Sequence, residues 1–420
     1  MNKCSFEYIA SGCSHIRIVF KEAYENKNCL AYLKKSFNYL NTFSRHHKFS
    51  LLANAWTEPN FGEIFQNYKP SINQVMLDSG GLQIVTQGMF ITDKIKEKIY
   101  SIQSKWSDSA MCFDEIPLSF NGDTSSRTDI SNRWFDKDKF KNCAKITGKN
   151  VTRQIEIFLD EKSQTKPFVI VQGNCLETYC EWIELVLKEI PLSYHKYIQG
   201  VAMGAASLGY GVLEDIKKAF YFTQLPIECN NLHILGVGSI SRLLPFIIFS
   251  QSGLYKNIHI SYDSSTHTSG INMGRYFING KNFNFPKVLD HKIWNIMYED
   301  VKKNGFSNNE SIKHFFIPFS IPSMEFKEKY GSRVPFIKII NSVFCSIIKN
   351  FITEVDKCFD EKSYLINKYT NVKTKNSFLS LYNIKNKEDF KSWEKNISRF
   401  INSKFIASHK RKETDLDNLF

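Results

Sequence analysis

The chain lacks a CxxC pair: its ten cysteines stand singly at positions 4, 13, 29, 112, 143, 175, 180, 229, 345 and 358. That scatter speaks against a disulfide framework and reads as free thiols in a reducing cytoplasm. It also lacks a long apolar run. The longest candidate, IINSVFCSII over 339–348, is ten residues between Lys338 and Lys349, against the roughly 20 that a bilayer span requires. The opening MNKCSFEYIASGCSH has no apolar stretch of secretory-leader length, so a cytoplasmic protein with no membrane partner is expected. Internal repeats and low-complexity tracts are absent too. Disorder over the whole chain is excluded by what is abundant, since 42% of residues are hydrophobic and 14% aromatic, with 35 phenylalanines.

The 420 residues exceed one small core and suit one large α/β domain with an appendage. A formal charge of +13 points to a polyanionic partner, nucleic acid before membrane, although drift toward a Lys- and Asn-rich composition yields the same surplus. Residues 301–420 hold 22 Lys and Arg against 13 Asp and Glu, most of that excess.

Seven short apolar runs have strand length: 50–55, 74–78, 110–114, 168–173, 197–204, 232–238 and 257–263. Helix-like segments separate most of them. Over 177–190, Trp182, Leu185, Val186 and Ile190 share one helical face. Segments 213–222 and 241–253 read similarly, with Pro245 expected to start the second helix near itself. Near-continuous apolar strands between helices predict a parallel sheet covered on both sides. A doubly wound open sheet and a (β/α)₈ barrel both satisfy that pattern. The barrel is favoured because Asp78, Asp114, Gln172, Gly204, Gly238 and Asp263 all fall at the C-terminal ends of their runs, where a barrel gathers its catalytic groups at one mouth. The barrel is expected over 1–300 and a basic, mainly helical C-terminal region over 301–420. There Ile337, Ile340, Phe344, Ile347, Phe351 and Val355 form an apolar stripe at helical spacing.

A carboxylate at a strand end inside such a mouth loses water, its pKa rises, and it becomes fit for general acid–base work. Taken singly, Asp78 before Ser79-Gly80-Gly81 and Asp263 before Ser264-Ser265-Thr266 read as turn or helix caps. Three acids at the same end of successive strands read as a site with divided roles. Gly80-Gly81, Gln172-Gly173 and Gly204 let backbone approach a flat ligand. An amide, carboxylates and bare backbone around a narrow slot suit the edge of a purine such as guanine.

In this order the residues resemble the tRNA-guanine transglycosylases and their DNA-modifying relatives. The family's DSGGFQ is matched by Asp78-Ser79-Gly80-Gly81-Leu82-Gln83, its FDE by Phe113-Asp114-Glu115, and its IVQGG by Ile170-Val171-Gln172-Gly173-Asn174. IGGLAVGE is matched loosely by residues 203–209, and LMGVG by Ile234-Leu235-Gly236-Val237-Gly238, with Asp263 following. The likeness covers about residues 75 to 275, half the chain. It implies base exchange by double displacement on a (β/α)₈ barrel, with no redox or nucleotide cofactor. Asp263 is then the nucleophile at C1′, and Asp78 takes the proton of the incoming 7-deazaguanine. Asp114, Gln172, Gly173, Gly204 and Ala205 hold the base edge, with Ser79, Leu82 and Leu235 lining the slot.

The departures matter equally. Leu82 replaces a stacking Phe and Leu235 a Met. The family's CxCxxC…His zinc pattern has no counterpart after Asp263, where only Cys345 and Cys358 remain, so no zinc is expected. Missing zinc spacing, the Ser-rich stretch after Asp263 and the basic C-terminal region fit the DNA-directed branch, known from phages and bacterial DNA-modification clusters, which inserts 7-cyano-7-deazaguanine or its relatives. DNA is thus the expected partner and an atypical zinc-free tRNA enzyme the alternative. A barrel glycosidase and a non-catalytic nucleic-acid-binding barrel rank below. His267, Arg275 and Lys281 are candidate phosphate contacts, although such a histidine is more often a loop residue with a satisfied hydrogen bond. A helper ATPase and a homodimer stay open as partners.

Overall fold

A run such as Pro167–Val171, apolar at consecutive rather than alternate positions, needs cover on both faces. A computed structural model provides it. The structure describes residues 5–11, 49–60, 66, 72–120, 133–173, 175–204, 212–225, 227, 229–255, 257–269, 275–284, 291–305, 334–371 and 374–397. Its strands are β1 (Ser5–Ala10), β2 (Phe49–Asn54), β3 (Ile72–Asp78), β4 (Ser109–Met111), β5 (Leu118–Phe120), β6 (Arg133–Phe135), β7 (Lys166–Val171), β8 (Gly200–Met203), β9 (Asn231–Ile234), β10 (His259–Ser264), β11 (Arg275–Ile278) and β12 (Lys281–Asn284).

Eight of these close a parallel barrel in the order β1-β10-β9-β8-β7-β4-β3-β2. The other four form two antiparallel pairs, β5–β6 following β4 and β11–β12 following β10. Closure is made by β1 against β10, which sets Ile9 beside Asp263. The expected (β/α)₈ barrel is therefore the fold.

Helices run between the strands: α1 (Gly81–Thr86), α2 (Asp93–Trp106), α3 (Lys137–Asp160), α4 (Leu176–Lys188), α5 (Val212–Phe222), α6 (Ile240–Gln251) and the short α7 (Thr266–Ser269). Helix α6 corrects the expectation for Pro245. It starts at Ile240 and carries the proline inside. Pro245 is the sixth residue of the helix, past the N-terminal donors that lack partners, so the bond its N–H would give to Ser241 O is lost. Burial of Ile240, Leu243 and Leu244 outweighs the one lost bond.

Beyond the barrel come α8 (His291–Lys303), α9 (Val334–Asp360), α10 (Lys362–Tyr369), α11 (Lys375–Leu381) and a helix over 387–397. The C-terminal region is mainly helical, as expected. From the stripe on α9, Ile347, Phe351 and Val355 are buried; the side chains of Ile337, Ile340 and Phe344 lie outside the described residues. Phe351 sets its ring 4.9 Å from Tyr8 on β1 and 6.2 Å from Tyr262 on β10, so α9 covers the seam where the barrel closes. A single apolar core runs from Tyr8 to Trp393. Phe220 of α5 and Phe390 stack at 4.0 Å, which ties the last helix to the barrel as well. Among the described residues no helix is long and apolar enough to cross a membrane.

Candidate active site

The apolar strands stop where polar residues begin, and that boundary is the C-terminal mouth. Asp78 ends β3, Asp263 lies one residue before the end of β10, and Asp114, Gln172 and Gly204 follow β4, β7 and β8 within three residues. Their loops are anchored from behind. Gln103 of α2 donates from Nε2 to Leu77 O at 3.0 Å and Met111 O at 2.9 Å, fastening β3 to β4 just below Asp78 and Asp114. Glu115 points away to Lys96 at 2.9 Å, and Asn150 Nδ2 donates to Phe113 O at 2.9 Å. Asp114 is left as the residue of its motif that faces Gln172.

Gln172 Nε2 donates to Asp114 Oδ2 at 2.6 Å. Both side chains are buried, Asp114 with 4% exposure and Gln172 with 2%. Burial pushes the Asp114 carboxyl up to about 7, with the Asp78 charge adding to the rise and the Gln172 bond opposing it. Gly204 packs beneath this pair, since a Cβ there would stand 2.4 Å from Gln172 Nε2. Gly81 approaches from the other side: its Cβ would lie 3.2 Å from Asp114 Oδ1.

Asp78 is pushed up to about 6, first by burial and then by the charge of Asp263. Gly80 N donates to Asp78 Oδ2 at 3.2 Å, and Gly80 turns the chain at φ +83°. That conformation and the 2.7 Å that a Cβ would leave to Asn54 Oδ1 both require glycine. Asp263 is held on one oxygen. Its Oδ1 accepts from Gly236 N at 2.9 Å and lies 3.2 Å from His233 Nε2. Gly236 reaches it from a left-handed turn, φ +68°. Both acids expected to carry the chemistry thus meet at one mouth, with Asp114 beside Asp78.

Three buried polar atoms here have no hydrogen-bond partner among the described residues: Ser79 Oγ, Gln172 Oε1 and Asn54 Nδ2. Such atoms are costly unless a ligand meets them. Asn54 has its Oδ1 occupied by Trp56 N and Thr57 N, at 2.9 and 3.0 Å, which aims Nδ2 elsewhere.

Compared with protein-family models and with curated proteins, the chain matches none.

The remaining expected residues divide. Leu82, at the start of α1, and Leu235, whose N donates to Met203 O at 3.2 Å, are both partly buried after their strands. Gly173 is buried against Tyr179 N, 3.0 Å from where a Cβ would stand. Ala205 lies outside the described residues. His267 does not stand at a surface that phosphate reaches. Its ring lies 3.9 Å from Phe351 and 5.1 Å from Phe277, and Nε2 is 3.0 Å from Gly238 O. Burial depresses its pKa to about 4, so it is a neutral packing residue at the base of the β10 loop. Arg275 and Lys281 sit at opposite ends of the β11–β12 hairpin, paired with Asn284 and Ile278. Lys281 is exposed and Arg275 partly so.

His233 and Asn54 did not figure among the expected site residues. A polar signal was present for each: His233 interrupts the apolar run of β9, and Asn54 ends that of β2. A polar residue inside a buried strand needs a partner, and the partner is what one-dimensional spacing does not name. Among the described residues, no three His, Cys, Asp or Glu side chains group as metal ligands.

Proposed function

We propose that the chain is a base-exchange transglycosylase that replaces guanine in DNA with a 7-deazaguanine through a covalent aspartyl–sugar intermediate. One observation carries this reading: Asp78 and Asp263 share a barrel mouth with a buried Asp114–Gln172 pair whose unfilled Gln172 Oε1 suits a donor on a purine edge.

The chemistry follows from which atoms are free. Asp263 Oδ1 is occupied, so Oδ2 attacks C1′. The C1′–N9 bond breaks, its electron pair leaves on guanine N9, and the Asp78 carboxyl supplies the proton that neutralises the departing base. Incoming 7-deazaguanine binds in the vacated slot and returns a proton from N9 to Asp78. Its N9 pair forms the new bond to C1′ while the C1′–Oδ2 bond breaks back to carboxylate. Two easier displacements replace one hard one. An acid near pH 6 suits both proton transfers at neutral pH. Asp114, as carboxylate, accepts from N1–H of the base, and the unfilled Gln172 Oε1 accepts from its N2–H₂. A paired target in duplex DNA is first flipped out, and the basic C-terminal surplus supports a grip on backbone phosphates.

The test supplies radiolabelled guanine or 7-cyano-7-deazaguanine with duplex DNA, single-stranded DNA or tRNA, with and without a cell extract as a source of helper ATPase. Label is expected in DNA, and Asp263→Ala is expected to abolish both incorporation and the trapped adduct. Label in tRNA alone overturns the DNA assignment. Label in no nucleic acid overturns the enzyme assignment and favours a binding barrel.

A further inference from the structure

We infer that His233 presents the nucleophile: held by Ser261, it donates from Nε2 to Oδ1 of Asp263 and leaves Oδ2 as the attacking atom. This rests on the base-exchange reading and deepens it, by giving the site a positioning residue on β9.

The geometry is closed on every side of the ring. His233 has no exposed surface, and β9 pairs with β10 so that His233 stands opposite Ser261. Its Nδ1 lies 2.9 Å from Ser261 Oγ, its Nε2 3.2 Å from Asp263 Oδ1, and the Phe168 ring meets it edge-on at 6.1 Å. Ser261 has one hydroxyl proton. The alternative acceptor, Leu232 O, is 3.4 Å away, so the shorter path runs from Ser261 O–H to Nδ1. That leaves the ring proton on Nε2, facing the carboxylate. The opposite tautomer would set a nitrogen lone pair against an oxygen lone pair at the same 3.2 Å. A proton on Nε2 with Nδ1 accepting therefore satisfies Ser261, His233 and Asp263 together.

The consequence falls unequally on the two displacements. Asp263 Oδ1 receives two donors, Gly236 N and His233 Nε2. In the covalent intermediate Oδ1 is an ester carbonyl and attracts them weakly. As the C1′–Oδ2 bond breaks, charge returns to the carboxylate and both hydrogen bonds strengthen. His233 thus assists breakdown of the intermediate more than its formation.

Single-turnover and steady-state kinetics of His233→Phe, His233→Gln and Ser261→Ala test this, with nitrogen-15 NMR of the imidazole in the full-length protein. Turnover of His233→Phe is expected to fall roughly 10- to 100-fold, as the loss of one hydrogen bond to a charged group implies, with adduct formation falling less, so that the trapped adduct accumulates. His233→Gln, which restores an N–H donor, is expected to recover part of the breakdown rate. The wild-type spectrum is expected to show the Nε2–H tautomer, lost in Ser261→Ala. Equal slowing of both steps overturns the inference, because a merely structural residue acts that way. An Nδ1–H tautomer in the wild type overturns it whatever the kinetics. Should the wild type modify no nucleic acid, the base-exchange reading fails, while the tautomer still decides whether His233 holds Asp263.

Discussion

Asp114→Asn isolates the electrostatic claim about the mouth. The carboxyl is raised from 3.8 to about 7 by burial and by the charge of Asp78. A raised pKa means that the folded protein holds this proton more tightly than the unfolded chain does. The stability this contributes is fully present below pH 3.8 and is lost as pH rises through about 7. From pH 5 to that point lie about two pH units, each worth ~1.4 kcal/mol, so the wild type loses about 3 kcal/mol between pH 5 and pH 8 on account of this one group. Asparagine keeps an acceptor for Gln172 Nε2 and does not titrate, so the variant keeps that stability. At roughly 2 cal/mol/K per residue, a chain this long has an unfolding entropy near 0.9 kcal/mol/K. The melting temperature of Asp114→Asn relative to wild type is therefore expected to gain about 3 °C between pH 5 and pH 8, read by differential scanning calorimetry at both values. An identical difference at the two pH values refutes the account of Asp114 as a desolvated acid.

Gly204→Ala drives a methyl group into the Gln172 amide; weaker binding of 7-deazaguanine is expected by calorimetric titration, with a stability loss of about 1–3 kcal/mol from the overpacking, and unchanged affinity would refute the cradle. Phe351→Ala empties the space between α9, Tyr8 and His267 and is expected to cost about 3–5 kcal/mol in denaturant titration; an unmoved midpoint refutes the view that α9 seals the barrel seam. Arg275→Ala with Lys281→Ala removes two cations proposed to meet phosphate; the slope of log affinity for DNA against log salt is expected to flatten by roughly 0.9 for each phosphate no longer neutralised, and an unaltered slope removes the β11–β12 hairpin from the nucleic-acid interface.

The acids and glycines of the mouth were legible because each one ends an apolar run, and a run's end is a local property. Strand β1 was not legible. Ser5 and Glu7 break its apolar pattern, and Glu7 is tolerated only because His259 reaches it at 2.9 Å from 252 residues away and Ser50 and Asn73 bond it from β2 and β3. Spacing alone put the helix start at Pro245 and left open whether His267 meets phosphate, for the same reason. Burial of Leu243 and Leu244 overrides the proline, and Phe351, 84 positions further along the chain, covers the histidine.

The sequence by itself determined the architecture and the two acids at its mouth, since strand length, apolar periodicity and polar run-ends are read within a few neighbouring residues. Only the tertiary structure decided which oxygen of Asp263 the donors hold, that His233 stands behind it, and that Asp78 and Asp114 hold their protons toward neutral pH. Those properties depend on how much water is excluded and which donor lies within about 3 Å, and both are settled by residues far apart in the chain that the closed barrel brings together.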